Sequence, residues 1–224
     1  MEKKTLGIAI PYYKNSDVCV SAMLGLMLQL RSQITDDMLV CIVEDGQYSN
    51  FLDEYIKDYD HYRVIRLEEN KGVSVARNIC INQLINDVEY ILFLDSDDVL
   101  SDNYLKIMCE YCKKGDYDLY ESAFCIGTKD NTIPFRVNKN RYSVTGQAFS
   151  TKIIRHKRFE PKLQIGEDTK FNADVFKLDK HKKCYVKEAM YCYKLGLNKN
   201  SLTMLFSEKK IKESRCETCL KKKI

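Results

Sequence analysis

The chain predicts a three-layer α/β sandwich around a mostly parallel sheet, and three observations carry that reading. Strand-like and helix-like patterns alternate through residues 1–100, each strand pattern ends in a polar or acidic tip, and a composition of 45% hydrophobic and 30% charged residues over 224 positions supports one sizeable core. Successive βα units force their strands to run parallel with helices on the sheet faces. In such sheets ligands sit beyond the carboxyl ends of the strands, where the strand order reverses.

The elements follow in order. Thr5 to Ile10 is strand-like and ends at Pro11; Val18 to Leu30 carries a dense apolar helix pattern; Met38 to Val43 is strand-like and runs into Glu44, Asp45 and Gly46. A polar helix is predicted near Asn50 to Asp58, a strand at Tyr62 to Leu67, a helix from Val73 to Ile85 and a strand from Tyr90 to Leu94. Beyond residue 100 the alternation fades. Tyr117 to Phe124, Ile133 to Val137 and Val186 to Tyr193 read as strands, Phe149 to Arg155 reads either way, and Gly166 to Phe176 opens with acid and continues with helical periodicity. LGLNKNSLTM reads as a loop into a terminal helix. The expectation is one domain over residues 1–206, with a nucleotide-binding half (1–100) and an acceptor half (101–206), followed by a basic helical tail at 207–224.

Net charge is +4, and residues 207–224 hold seven Lys or Arg against three Glu. Such a tail is either a solvated helix face or a contact for anionic lipid or nucleic acid, and the lysine-rich stretches Lys152 to Arg158 and Lys180 to Lys183 share that ambiguity. Ten cysteines without a secretory signal pattern predict a reducing, cytoplasmic setting. No apolar run is long enough to cross a bilayer, so membrane contact at the inner face would be peripheral, through the tail. The Cys-x-x-Cys pairs Cys109/Cys112 and Cys216/Cys219 would suit zinc, but Cys109 and Cys112 share a helical apolar face with Leu105 and Met108, which makes core cysteine the simpler account.

The sharpest single feature is YILFLDSDDVL, an apolar strand that delivers Asp95, Asp97 and Asp98 within four residues. Clustered ionised carboxylates repel one another and resist burial, so they call for solvent or a cation, and hard oxygen ligands suit Mg2+ or Mn2+. The competing reading is an acidic cap on a helix starting near Ser101.

Taken together, the segments IAIPYYKN, VEDGQYSN, RVIRLEENKGVSVARN, YILFLDSDDVL, GEDTKF and YCYKLGLNKNSLT resemble, in order, those of the family 2 glycosyltransferases, over roughly Thr5 to Thr203. The resemblance implies the GT-A fold, a Rossmann-like α/β/α sandwich, and an inverting, metal-dependent hexosyl transfer from a nucleoside diphosphate sugar, with a UDP-sugar favoured. It implies that Asp95 faces the ribose, that Asp97 with Asp95 holds the metal, and that Pro11, Tyr13, Glu44, Asp45, Lys71, Arg77, Ser96, Lys194 and Ser201 contact the donor. Arg77 has a second reading, a structural ion pair with a nearby carboxylate. Asp168 matches the general base that takes the acceptor proton, with Glu167 beside it in a catalytic or orienting role. Lys194 stands where the family usually has Arg, which keeps the charge and loses the two-pronged fork.

A nucleotidyltransferase would also place aspartates on a strand, but would leave Glu167, Asp168 and the segment from Tyr193 to Thr203 unexplained. A nucleotide-sugar-binding module without turnover is the non-enzymatic alternative. The expected acceptor is a surface polysaccharide or other glycan hydroxyl, with a hydroxymethylated base in DNA as the alternative the basic stretches allow. A chain of this size predicts one sugar per encounter.

Overall fold

The computed structural model describes residues 2–57, 59–127, 132–135, 143–163, 165–177 and 181–194. The first half reads β1 (Lys4–Tyr12), α1 (Asp17–Gln33), β2 (Met38–Asp45), α2 (Asn50–Ile56), β3 (Tyr62–Leu67), α3 (Val73–Leu84) and β4 (Val88–Phe93). The second reads β5 (Val99–Leu100), α4 (Tyr104–Lys114), β6 (Leu119–Gly127), β7 (Thr132–Phe135), β8 (Gln147–Ser150), α5 (Thr151–Ile154), α6 (Glu167–Phe176) and β9 (Lys183–Lys194). The described strands form a single sheet in the order β3-β2-β1-β4-β8-β6-β9-β5, with β7 on β6. The pairs β3/β2, β2/β1 and β1/β4 are parallel, as the βα repeats require, and β4/β8 is antiparallel.

Strand side chains alternate between two cores, which is the period of two expected of a sheet covered on both faces. Leu6, Ile8, Ile10 and Tyr12 of β1 point to one side, with α1, α2 and α4. Ala9 of β1, Cys41 and Val43 of β2, and Ile91 and Phe93 of β4 point to the other, with α3, α5 and α6. The three-layer expectation is thus met. Gly7 belongs to the second face, where an added Cβ would lie 3.0 Å from Val88 and 3.1 Å from Leu84, so a bare backbone lets α3 sit close.

Several expected limits move for local reasons. β1 continues through Pro11 to Tyr12, because its pairing with β4 ends at Ala9 and Phe93, so the missing proline N–H interrupts no ladder on that side. The ambiguous stretch at 149–155 is both elements in turn: Ser150 ends β8 and its hydroxyl accepts from Lys152 N at the start of α5. Asp98 is not a helix cap. It precedes β5, which pairs with β9, and α4 begins only at Tyr104 after Asn103 in the left-handed region. The side-chain amide of Gln29 holds β5 by donating to Leu100 O (3.0 Å) and accepting from Leu100 N (3.2 Å). Cys109 and Cys112 are buried on α4, as the periodicity suggested. Cys216, Cys219, Lys180, the LGLNKNSLTM segment beyond Lys194 and the basic tail lie outside the described residues. No described helix is long and apolar enough to cross a membrane.

Candidate active site

β1 lies between β2 and β4, so the strand order reverses between β1 and β4, and the crevice expected there opens at the end of β4. Asp95 stands at that opening. Opposite it, Gly72 precedes α3, and its φ of 89° lets the chain turn sharply into the helix. Arg77 follows within the first turns of α3 and is buried.

Arg77 joins three carboxylates. Its Nη2 donates to Asp95 Oδ1 at 2.9 Å, and its Nη1 donates to Asp168 Oδ1 at 2.6 Å and to Glu167 Oε1 at 3.2 Å. A planar, forked guanidinium suits this task because its donors point in fixed, divergent directions. Its face lies over the Phe159 ring at 5.3 Å, and Phe159 stacks on Phe171 of α6 with centroids 4.1 Å apart. Asn78, the next residue of α3, fixes Phe159 by accepting from its N (2.8 Å) and donating to its O (2.9 Å).

The charges reinforce one another. Burial alone would lower the Arg77 pKa, but attraction to Asp168, Asp95 and Glu167 outweighs it and the net shift is upward, so Arg77 stays a cation. The Glu167 pKa is raised from its ordinary value by burial and then by adjacent Asp168, which Arg77 only partly offsets. Asp168 Oδ2 accepts from Val144 N at 3.1 Å, so both of its oxygens are held in place.

The second aspartate tip is a loop fastener. Asp45 is buried, and its two oxygens accept from Lys71 N (2.7 Å) and Gly72 N (2.8 Å). This draws the 70–72 loop over Gly46, where an added Cβ would lie 2.3 Å from Asn70 N, so only glycine fits. Glu44 is buried beside it and accepts from Arg66 Nε at 3.0 Å. Pro11 is buried at the end of β1, Tyr13 is exposed just beyond it, and Lys71 is exposed and pairs with Glu69 at 3.7 Å. Ser96 and Asp97 form the half-buried turn after Asp95. Lys194 is the last residue of β9, and Ser201 lies outside the described residues.

Sequence reasoning missed Tyr191, Phe159 and Val144. Tyr191 OH donates to Asp98 and accepts from Asp95 N at 3.1 Å, so one buried hydroxyl braces both ends of the acidic turn. Burial, then the neighbouring Asp98 and Asp95, push its pKa well up, which keeps the proton on the hydroxyl. Its place in the YCYK segment was the available signal.

The model of the family described as "Glycosyl transferase family 2" matches residues 8–181, a span that contains Asp45, Arg77, Asp95 and Asp168. The chain belongs to glycosyltransferase family 2. Among curated members, it is 38% identical over 100 residues to a teichoic acid poly(glycerol phosphate) polymerase of Staphylococcus epidermidis, covering 43% of this chain and 13% of that protein. It is 26% identical over 174 residues to glycosyltransferase GlyG of Streptococcus pneumoniae, covering 76% of this chain and 53% of that one. Among solved structures, S. aureus TarS 1-349 in complex with UDP superposes with a TM-score of 0.72 at 18% identity, over 85% of this chain and 60% of that one. GalNAc-T7 with UDP, GalNAc and Mn2+ gives 0.65 at 15% identity, over 90% and 46%. These likenesses establish the GT-A fold. This family 2 chain spans at most about half the length of these two curated relatives. Within it, Arg77 joins the tip of β4 to the first turn of α6.

Proposed function

We propose that the chain is an inverting glycosyltransferase that moves a sugar from a UDP-sugar to an acceptor hydroxyl in the synthesis of a surface glycan or polyol-phosphate polymer. The observation that carries this is the Arg77 bridge: one guanidinium holds Asp95, on the donor side of the crevice, and Asp168, on the helix of the acceptor half. Donor carboxylate and candidate base are thereby fixed relative to each other, which direct displacement requires.

Asp168 takes the proton of the attacking hydroxyl as the new C–O bond forms, and the nucleoside diphosphate leaves from the opposite face with the bonding electron pair. The attacking oxygen grows acidic as it bonds to carbon, and its proton passes to Asp168 in that step. Arg77 and Val144 N keep that carboxylate aimed. Tyr191 and Arg77 keep the acidic turn in register. Among the described residues no three His, Cys, Asp or Glu side chains gather as a complete metal cage. Mg2+ or Mn2+ is commonly held by one or two carboxylates together with substrate phosphates. Asp97 and Asp95 would hold it, and when bound it neutralises charge on the departing diphosphate.

Related proteins support the substrate classes. TarS has been crystallised with UDP and with UDP-GlcNAc, and a family relative from Staphylococcus aureus is a poly(ribitol-phosphate) β-N-acetylglucosaminyltransferase. The test is a donor screen by release of free nucleotide. Asp168→Asn should lower transfer by about 100-fold or more with UDP affinity retained, and Asp97→Ala should abolish the stimulation by Mn2+. Unchanged turnover in both variants would sink this reading.

A further inference from the structure

We propose that the basic segment at residues 155–162 is a track for a phosphate-bearing, polyanionic acceptor chain, laid along α3 by a ladder of asparagines. The inference rests on Asp168 marking the acceptor end of the site.

Asn78, Asn82 and Asn86 recur every four residues and so share one side of α3 and its continuation. Asn78 grips the Phe159 backbone through both its amide atoms. Asn82 Oδ1 accepts from Arg158 Nε (3.1 Å) and Nη2 (2.6 Å), and Asn86 Oδ1 accepts from Arg155 Nη1 (3.2 Å). From Asn78 to the end of α3 at Leu84 the helix rises about 9 Å and Asn86 follows in the next turn; the ladder begins at Phe159, which lies under Arg77 and stacks on the helix that carries Asp168. The track therefore starts at the reacting end and leads away from it.

Its charge is left open. The segment holds Arg155, Lys157, Arg158 and Lys162 against Glu160 alone. Among the described residues none of these four cations forms an ion pair. An Asp at position 82 or 86 would have neutralised an arginine, whereas Asn fixes its direction and leaves the charge whole. Burial lowers the Arg158 pKa, and no carboxylate opposes that shift. Solvated surface lysines alone would need no ladder. A track longer than a diphosphate, on the acceptor side, fits a chain of repeating phosphates. It fits single-stranded nucleic acid poorly, since single-strand binding uses exposed aromatic platforms and the one aromatic of this segment, Phe159, is buried.

Fluorescence anisotropy with labelled poly(glycerol phosphate) tests the track across a salt series. Arg155→Gln/Lys157→Gln/Lys162→Gln should bind at least about tenfold more weakly with a shallower salt dependence. Asn82→Asp/Asn86→Asp, which supplies each arginine with an acid and keeps the packing, should weaken binding in the same direction. UDP affinity and donor hydrolysis should not change in either. Wild-type polymer affinity in both variants overturns the proposal, as does tighter binding of single-stranded DNA than of polymer at equal charge. Loss of polymer binding in the variants, with no nucleotide sugar turned over by wild type, would leave the track standing and remove the transferase reading.

Discussion

Arg77 donates to Asp95, Glu167 and Asp168 from one buried position, and its chemistry explains why no smaller cation would serve. Lysine offers a compact charge without a fork, so it cannot reach Asp95 on one side and Asp168 on the other. Arg77→Lys should therefore leave one carboxylate facing its neighbours unpaired, at a cost of about 3 kcal/mol in urea denaturation, and should lower transfer together with stability. Stability unchanged by the substitution would mean that the bridge is not formed in solution. At this scale the sequence singled out Asp95 and Asp168 but not the arginine contact that connects them. Asp95 and Asp168 stood out as carboxylates at element tips, and Arg77 was balanced between ligand contact and ion pairing. Its partner Asp168 lies 91 positions away, a distance over which neither spacing nor periodicity carries information.

At the scale of elements, the turn after β2 shows how a backbone shape places a side chain. Gly46 has a φ of 89° and a virtual Cβ only 2.3 Å from Asn70 N, whereas Gly72 has the same φ with nothing within 4 Å. Gly72→Ala should accordingly cost only the conformational strain, about 1 kcal/mol. Gly46→Ala adds a clash with backbone that must move, which pulls the loop off Asp45, so it should cost more than Gly72→Ala and weaken UDP binding. Thermal melts and calorimetry on the pair decide it, and equal losses would refute the argument. Elements of the first half were legible because each core strand is a short apolar run ending in a polar tip. β5 was not. Two residues show no period, and this strand exists because Gln29 and β9 supply its partners from distant parts of the chain. The division at residue 100 marked a change of pattern from alternating βα units to mixed pairing, yet the sheet runs on through it.

Across the whole molecule the two halves share more than a sheet. Phe93 of β4 meets Phe149 of β8 at 5.8 Å, Phe159 at 5.5 Å and Phe171 of α6 at 6.1 Å, while Phe149 and Phe171 meet at 5.8 Å. One half contributes a single ring to this group and the other contributes three, so neither can retain the core alone. The two halves should then unfold as one cooperative unit. With fifteen tyrosines and no tryptophan, tyrosine fluorescence reports tertiary packing while far-UV circular dichroism reports the helices. The two urea transitions should coincide, as all-or-none unfolding demands. Phe171→Ala should shift both together by about 3–5 kcal/mol, because Phe171 is fully buried and supports Phe159 beneath Arg77. Transitions that separate in wild type, or a Phe171→Ala variant that melts one half and spares the other, would show that the halves are independent and that the Arg77 bridge spans a hinge instead of a common core.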